Sequence, residues 1–212
     1  MMKKLSIVLL ALLASLLPAG AQNVLSNASF ETGSVHQYGT GATPGWTTYG
    51  TSGFQETDFA RTGTFSVKSW WDDSGIFQDF SATAGLTYNV SAYGYNPTGD
   101  AAIGKDGALR IEWFDGSFVQ IGTTTTVGKF FGDGVDPLNT WKLISGSVVA
   151  PAGAVNGRIV LGVVANANPM QGGVVGWDDA SVSLAAVPEL SSMAMMGIGL
   201  VGLFGAVRRF RK

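Results

Sequence analysis

Apolar residues alternate with polar ones in short runs between residues 23 and 185, and glycine, asparagine and aspartate separate these runs. A period of two residues places the apolar side chains on one face of an extended strand. The 3.6-residue period of an amphipathic helix does not continue over any long stretch of this region. Seven strands are predicted, at residues 65–71, 76–80, 88–95, 109–114, 143–149, 158–164 and 177–184.

The number and spacing of these strands predict an all-β fold, a two-sheet antiparallel jelly-roll sandwich. An unstructured glycine-rich coat is the alternative, but the regular alternation and the 6 tryptophans argue against it. In the strands at 88–95 and 109–114, one parity is apolar and is expected to face the core. The residues on that parity are Tyr88, Val90, Ala92, Leu109, Ile111 and Trp113.

Cysteine and basic residues are both scarce in this region. The chain has no cysteine, which excludes a disulfide framework, a thiolate metal site and a cysteine nucleophile. Residues 23–185 contain 7 basic and 14 acidic residues, a net charge of about −7. Nucleic acids and anionic membranes are bound by clustered lysine and arginine, so this charge argues against both partners. Neutral ligands or cations fit it better.

The first 21 residues have the three parts of a signal peptide. Lys3 and Lys4 form a basic start, residues 5–17 form a short apolar run, and a small-residue A-x-A site ends at Ala21. We therefore predict that residues 1–21 are a signal peptide cleaved after Ala21. The alternative is a buried N-terminal helix.

A second apolar segment lies near the other end of the chain. Residues 190–207 are 18 uncharged, mostly apolar positions. As a helix they would extend roughly 27 Å, which is just enough to cross the hydrocarbon core of a bilayer. The basic residues that follow them place the C-terminus in the cytoplasm and the preceding domain outside. A transmembrane helix is predicted at 190–207.

Residues 187–212 combine a Pro-Glu motif, this glycine-rich span and an arginine cluster, and they resemble the PEP-CTERM sorting signal of Gram-negative bacteria. The resemblance departs at Leu190, where the motif usually has a proline. It implies an exosortase, a membrane processing enzyme, as partner, and an association with exopolysaccharide. The alternative is a plain tail anchor that is never cut. The motif residues are Val187, Pro188, Glu189, Arg208, Arg209 and Arg211.

The expected organisation is therefore a signal peptide at 1–21, a β-sandwich at 22–186 and a sorting tail at 187–212. Such a protein is exported to the cell envelope or the extracellular space. It is first anchored in the cytoplasmic membrane with its C-terminus inside.

Seven short segments of the central region, taken in order, resemble those of galactose-binding-like carbohydrate-binding modules. The resemblance extends over about 160 residues, with the first segment as the opening strand and the last segment as the closing strand of the domain. The segments lie at residues 23–31, 44–46, 61–67, 75–80, 84–92, 141–146 and 177–182.

This resemblance implies a structural calcium near the junction of the first and last strands. The matching carboxylates are Glu31 with Asp178 or Asp179, helped by backbone carbonyls of residues 61–66. Calcium binds several hard oxygen ligands, which such carboxylates supply. Which aspartate ligates stays open, and the alternative is that these acids only cap strand ends.

The residues opposite the core parity form the candidate ligand surface. If the strands at 88–95 and 109–114 share a sheet, its outer face shows aromatic rings beside an arginine and a glutamate. Rings stack on the apolar faces of sugars, and charged groups bond hydroxyls. Trp70 is added because it occupies an outward-facing position of the strand at 65–71. The candidate ligand residues are Trp70, Tyr93, Tyr95, Arg110, Glu112 and Phe114.

Catalytic signals are weak. His36 is the only histidine and lies in a loop rich in glycine and threonine. A glycosidase needs two carboxylates at a fixed separation, and no motif singles out Glu112 with Asp115, or Asp72 with Asp73. We therefore expect no enzyme, but an exported surface protein whose domain binds carbohydrate, with exopolysaccharide as a candidate. The alternatives are a structural matrix or coat protein that makes protein contacts and, less favoured, a glycan-active enzyme.

Overall fold

The computed structural model describes residues 22–35, 43–50, 54–70, 73–166 and 171–186. The predicted signal peptide, the sorting tail at 187–212 and its transmembrane helix lie outside these residues, as do His36 and Asp72. No helix in the described ranges is long and apolar enough to span a membrane. Residues Gln22–Ala185 form the unit whose fold is described below.

The described residues form ten strands, rich in the β-branched and aromatic residues that fit a pleated surface. One 3-10 turn lies at Thr98–Asp100. Seven strands match the predicted ones, several extending further than predicted. The strands are β1 (Thr47–Tyr49), β2 (Phe54–Glu56), β3 (Ser66–Trp70), β4 (Ser74–Ser81), β5 (Thr87–Tyr95), β6 (Lys105–Phe114), β7 (Thr125–Phe130), β8 (Lys142–Val149), β9 (Asn156–Ala165) and β10 (Val174–Leu184).

The strands make two five-stranded sheets. Sheet A has the order β1-β4-β9-β6-β7, and sheet B has the order β2-β3-β10-β5-β8. All neighbouring strands pair antiparallel. The chain crosses repeatedly from one sheet to the other, so that most sequence neighbours lie in opposite sheets. The predicted two-sheet antiparallel jelly-roll sandwich is confirmed.

The core lies between the sheets and is built from the parity that the sequence indicates. The six residues predicted to face inward from β5 and β6 are all buried. Phe80, Tyr88 and Trp113 form an aromatic cluster across the two sheets, with ring centroids 5.7 to 6.1 Å apart. Trp177 and Phe30 are fully buried and are the two largest such side chains among the described residues.

The opening segment differs from the expectation. Residues 23–31 form no strand of either sheet, because Asn27 and Phe30 have positive φ angles of 44° and 60°, which interrupt an extended backbone. The segment still lies against β10, since the backbone N–H of Val24 donates to the carbonyl of Val182 over 2.8 Å. Three short or edge strands, β1, β2 and β7, were not predicted.

Candidate functional site

The six candidate ligand residues do not lie on one surface. β5 belongs to sheet B and β6 to sheet A, so the condition that these strands share a sheet is not met. Alternation fixes which side chains face outward, but it does not encode the crossovers that assign a strand to a sheet. Trp70, Tyr93 and Tyr95 therefore lie on the outer face of sheet B. Arg110, Glu112 and Phe114 lie on the outer face of sheet A.

A row of small residues crosses the outer face of sheet A. Gly75, Gly162 and Ala108 lie opposite one another on β4, β9 and β6. Tyr49 on β1 pairs with Gly75 at the end of this row. A Cβ atom on Gly162 would overlap the Tyr49 hydroxyl and would lie 3.1 Å from its Cζ. The tyrosine side chain thus extends over the glycines toward β6.

Tyr49 joins Arg110 and Asp73 in a polar network. Nη2 of Arg110 donates to the Tyr49 hydroxyl and lies 3.2 Å from Oδ1 of Asp73. The Tyr49 hydroxyl donates to the same Asp73 oxygen over 3.3 Å. Burial raises the pKa of Tyr49 well above its ordinary value, so this hydroxyl keeps its proton. Nε of Arg110 is buried and has no hydrogen-bond partner within the described part of the chain.

Arg158 organises the neighbouring part of the same face. Its Nε and Nη2 donate to the two carboxylate oxygens of Asp79 over 2.7 and 3.1 Å. Its Nη1 lies 3.9 Å from Oε2 of Glu112. The guanidinium also stacks on two rings, with Cζ 3.9 Å from the centroid of Phe77 and 4.8 Å from that of Phe114. These contacts hold the charged groups in fixed positions on the sheet.

Phe118 adds an exposed ring at one end of this face. It lies at the tip of the β6–β7 hairpin, is 53% exposed, and has a φ of 59°, which is rare for a bulky residue. The Asp115 side chain stabilises this turn by accepting the N–H groups of Ser117 and Val119 over 2.8 and 2.9 Å. The Phe118 ring centroid lies 6.0 Å from that of Phe114. Phe114 itself is buried, so Phe118 provides the accessible ring.

We call this surface of sheet A the binding strip. Its residues are Tyr49, Asp73, Phe77, Asp79, Arg110, Glu112, Phe118 and Arg158. Tyr49 and Phe118 were missed in the sequence because a three-residue strand and a hairpin tip show no periodicity. A turn signal, Asp115 followed by Gly116, was available for the hairpin.

The aromatic residues of sheet B pack on one another. The rings of Tyr95, Phe59 and Trp141 form a cluster with centroid separations of 4.8, 4.9 and 6.2 Å. The Arg61 guanidinium lies 3.5 Å above the Tyr93 ring. Trp70 contacts Phe54 edge-on at 6.0 Å. Because these rings are already in contact with protein, they present less free surface to a sugar than the sequence suggested.

The predicted calcium ligands meet at the turn of residues 61–65. The Glu31 carboxylate accepts the backbone N–H groups of Thr64 and Phe65, each over 2.9 Å. The Asp178 carboxylate accepts the backbone N–H group of Arg61 over 2.7 Å. Asp178 is fully buried, and burial raises its pKa to about 6. The two acids thus bind the turn from its two ends.

Asp179 is engaged differently. Its Oδ2 lies 2.6 Å from Nη1 of Arg61, and its Oδ1 accepts the Thr62 hydroxyl over 2.7 Å. The guanidinium places a positive charge beside this carboxylate, which disfavours Asp179 as a metal ligand. No group of three His, Cys, Asp or Glu side chains that could hold a metal ion occurs in the ranges that the structure describes. A calcium site would therefore need backbone carbonyls beside Glu31 and Asp178, and calcium stays a prediction.

No protein-family profile and no curated protein match this chain. Its fold is similar to solved carbohydrate-binding modules. The C-terminal family 22 module of Clostridium thermocellum Xyn10B is 16% identical with a TM-score of 0.54, covering 74% of this chain and 92% of that one.

Two further structures of the same kind match. A xylan-binding domain of family 22 is 16% identical with a TM-score of 0.55, covering 80% of this chain and 99% of that one. The CBM22-1 xylan-binding domain of Paenibacillus barcinonensis Xyn10C is 15% identical with a TM-score of 0.53, covering 79% and 97%. At these identities the likeness shows a shared jelly-roll fold.

Proposed function

We propose that the central domain binds a polysaccharide along the binding strip of sheet A. The observation that carries this proposal is the spatial order of the side chains along the strip. The exposed Phe118 ring stands at one end, the Arg158 pairs with Asp79 and Glu112 follow, and the network of Tyr49 with Arg110 lies beyond them. This combination of rings and fixed polar groups is what sugar recognition requires.

The charge of the strip indicates the kind of polysaccharide. Arg110 is paired with Asp73, and Arg158 with Asp79 and Glu112. Each positive charge is balanced within the strip, so no free cation selects an acidic sugar. A neutral polysaccharide bonds such pairs through its hydroxyl groups.

The similar structures support this proposal only through their fold. Two of them are described as xylan-binding domains, and a neutral polysaccharide of that kind is a suitable first probe. Fold alone does not assign a ligand, so the argument depends on the side chains of the strip.

Affinity gel electrophoresis of the purified protein tests the proposal. Gels would contain xylan, cellulose, β-glucan or galactan. We expect retardation by at least one of them, with Arg110→Ala weakening the affinity about 10-fold or more, since hydrogen bonds to charged groups contribute about 1.5–3 kcal/mol. Phe118→Ala should weaken it roughly 2- to 10-fold through the loss of stacking.

Val119→Ala is the matched control, because Val119 is adjacent to Phe118 and is 62% exposed. It should leave the affinity unchanged. If the parent protein is not retarded by any of these polymers, the binding proposal is overturned and a structural role in a surface matrix is favoured. If the parent is retarded and none of the strip variants differs from it, the strip is the wrong surface.

We further propose that the protein is exported and sorted by an exosortase, so that the domain meets its polysaccharide outside the cytoplasm. The support is in the sequence, with its basic start and small-residue cleavage site at 1–21 and its Pro-Glu motif and arginines at 187–212. Cell fractionation with N-terminal sequencing should find a mature protein that begins at Gln22 outside the cytoplasm. Full-length protein in the cytosol would contradict this proposal.

A further inference from the structure

A groove on the outer face of sheet B lies apart from the binding strip. It has a volume of about 320 Å³ and crosses β8, β5 and β10. Its polar lining residues are Asn89, Ser91, Ser145, Ser147, Ser181 and Ser183. Small side chains on three neighbouring strands leave this depression, and Leu143, which is 50% exposed, borders it.

The strand register arranges these polar side chains in two rows. Ser147, Asn89 and Ser183 lie opposite one another, and so do Ser145, Ser91 and Ser181. Neighbouring strands lie about 4.8 Å apart, and residues two positions apart along a strand lie about 7 Å apart. The groove therefore presents hydroxyl and amide groups at a regular spacing in two directions.

Most of these groups are free to bond a ligand. The hydroxyls of Ser91, Ser145, Ser181 and Ser183 form no hydrogen bond with any residue that the structure describes. The exception is Ser147, whose hydroxyl donates to Oδ1 of Asn89 over 2.7 Å. That bond orients the Asn89 amide and leaves its N–H donors available.

The groove is also uncharged. No acidic or basic side chain lines it, although residues 23–185 carry a net charge of about −7. An anionic polymer meets no counter-charge here, and an apolar peptide would have to desolvate the serine hydroxyls. A neutral chain with many hydroxyl groups can replace the water on these donors and acceptors one for one.

We propose that this groove is a second polysaccharide-binding surface, specific for an uncharged glycan chain. It lies on sheet B, and the binding strip lies on the opposite face of the sandwich, on sheet A. One domain can then hold two glycan chains at once and cross-link them. The cross-linking part of this inference rests on the proposed function of the strip.

The test uses the double variant Ser145→Arg with Ser147→Arg, which fills the groove from β8. Both serines are exposed, so the variant should fold like the parent. Val149→Arg is the matched control, since Val149 lies on the same strand and face, is 59% exposed and lies outside the groove. A strip variant, Arg110→Ala with Phe118→Ala, removes the other surface.

Two readouts are compared for the purified proteins: retardation in gels of xylan, cellulose, β-glucan or galactan, and turbidity when protein is mixed with the soluble polymer that retards it. The parent and Val149→Arg should be retarded and should make the mixture turbid. Each double variant should lose turbidity and keep weaker retardation, because removal of one of two linked contacts lowers avidity by as much as 10²- to 10⁴-fold. The combination of both double variants should lose retardation.

Other outcomes separate the two proposals. If the strip variant alone abolishes retardation and the groove variant matches the parent in both readouts, the second surface is overturned and the strip stands. If the groove variant abolishes retardation and the strip variant changes nothing, the groove stands as the single binding surface and the strip proposal fails. A parent protein that no polymer retards overturns both.

Discussion

The hydroxyl of Tyr49 lies against the backbone of Gly162, two strands away from it in sheet A, with no space for a Cβ atom between them. The same missing Cβ would also meet the carbonyl oxygen of Ser74 on β4. The hydrogen atom of one glycine therefore decides whether Tyr49 can reach Arg110.

Replacing this glycine should disturb both stability and binding. We expect Gly162→Ala to lower the free energy of unfolding by about 1–3 kcal/mol, because the added methyl group overpacks a filled site. Displacement of Tyr49 should also weaken polysaccharide binding at the strip. Urea denaturation and affinity gels measure the two effects. Gly99→Ala is the control, since a Cβ there meets nothing within 4 Å.

Trp113→Ala and Tyr95→Ala separate the core from the surface cluster. Trp113 is buried against Phe80 and Tyr88, so its truncation should cost about 3–5 kcal/mol through cavity formation. Tyr95 packs on two rings at the surface, and its truncation should cost about 1–2 kcal/mol. Denaturation midpoints compare them. Equal losses would mean that the cluster around Tyr95 is as much a part of the core as Trp113.

Calcium, if it binds beside Glu31 and Asp178, should stabilise the folded state by mass action. We expect EDTA to lower the melting temperature of the purified protein and added calcium to restore it. Glu31→Gln should abolish this response, whereas Asp100→Asn, at a carboxylate remote in sequence from the turn, should retain it. If neither reagent changes the melting temperature, the calcium prediction is wrong.

The buried Asp178 predicts a pH dependence in the absence of metal. Its pKa is raised from 3.8 to about 6, so the folded state binds this proton more tightly than the unfolded state. The free energy of unfolding should then fall as the pH rises from about 4 to about 6, by up to about 3 kcal/mol.

Denaturation in EDTA across this pH range, for the parent and for Asp178→Asn, checks the expectation. The variant cannot ionise at this position, so its slope should be flatter than that of the parent. Identical slopes would assign the dependence to another group, such as Glu56, whose pKa burial also raises.

The sandwich was predictable because burial imposes a period of two on long strands. Residues of β5 and β6 lie on the predicted faces, and the alternation locates seven of the ten described strands. Short strands such as β1 and β2 contain three residues each, too few for a period to show. Whether the two-residue period can be recognised therefore depends on the length of a strand as well as on its composition.

The candidate surface was predictable only in part. Arg110 and Glu112 face outward as expected, but their partners come from other parts of the chain: Tyr49, Asp73 and Arg158. Such contacts depend on strand order, which the sequence pattern does not contain. The glycines that make room for Tyr49 are visible in the sequence only as breaks in apolar runs.

The place of β10 in sheet B has a mechanical consequence. This strand is the middle one of its sheet, with β3 on one side and β5 on the other, and it is the last strand among the described residues. A pull on residues beyond Ala185 is therefore transmitted along β10. The hydrogen bonds on both sides must then be sheared together instead of being opened one after another from an edge. A domain loaded in this way resists mechanical unfolding.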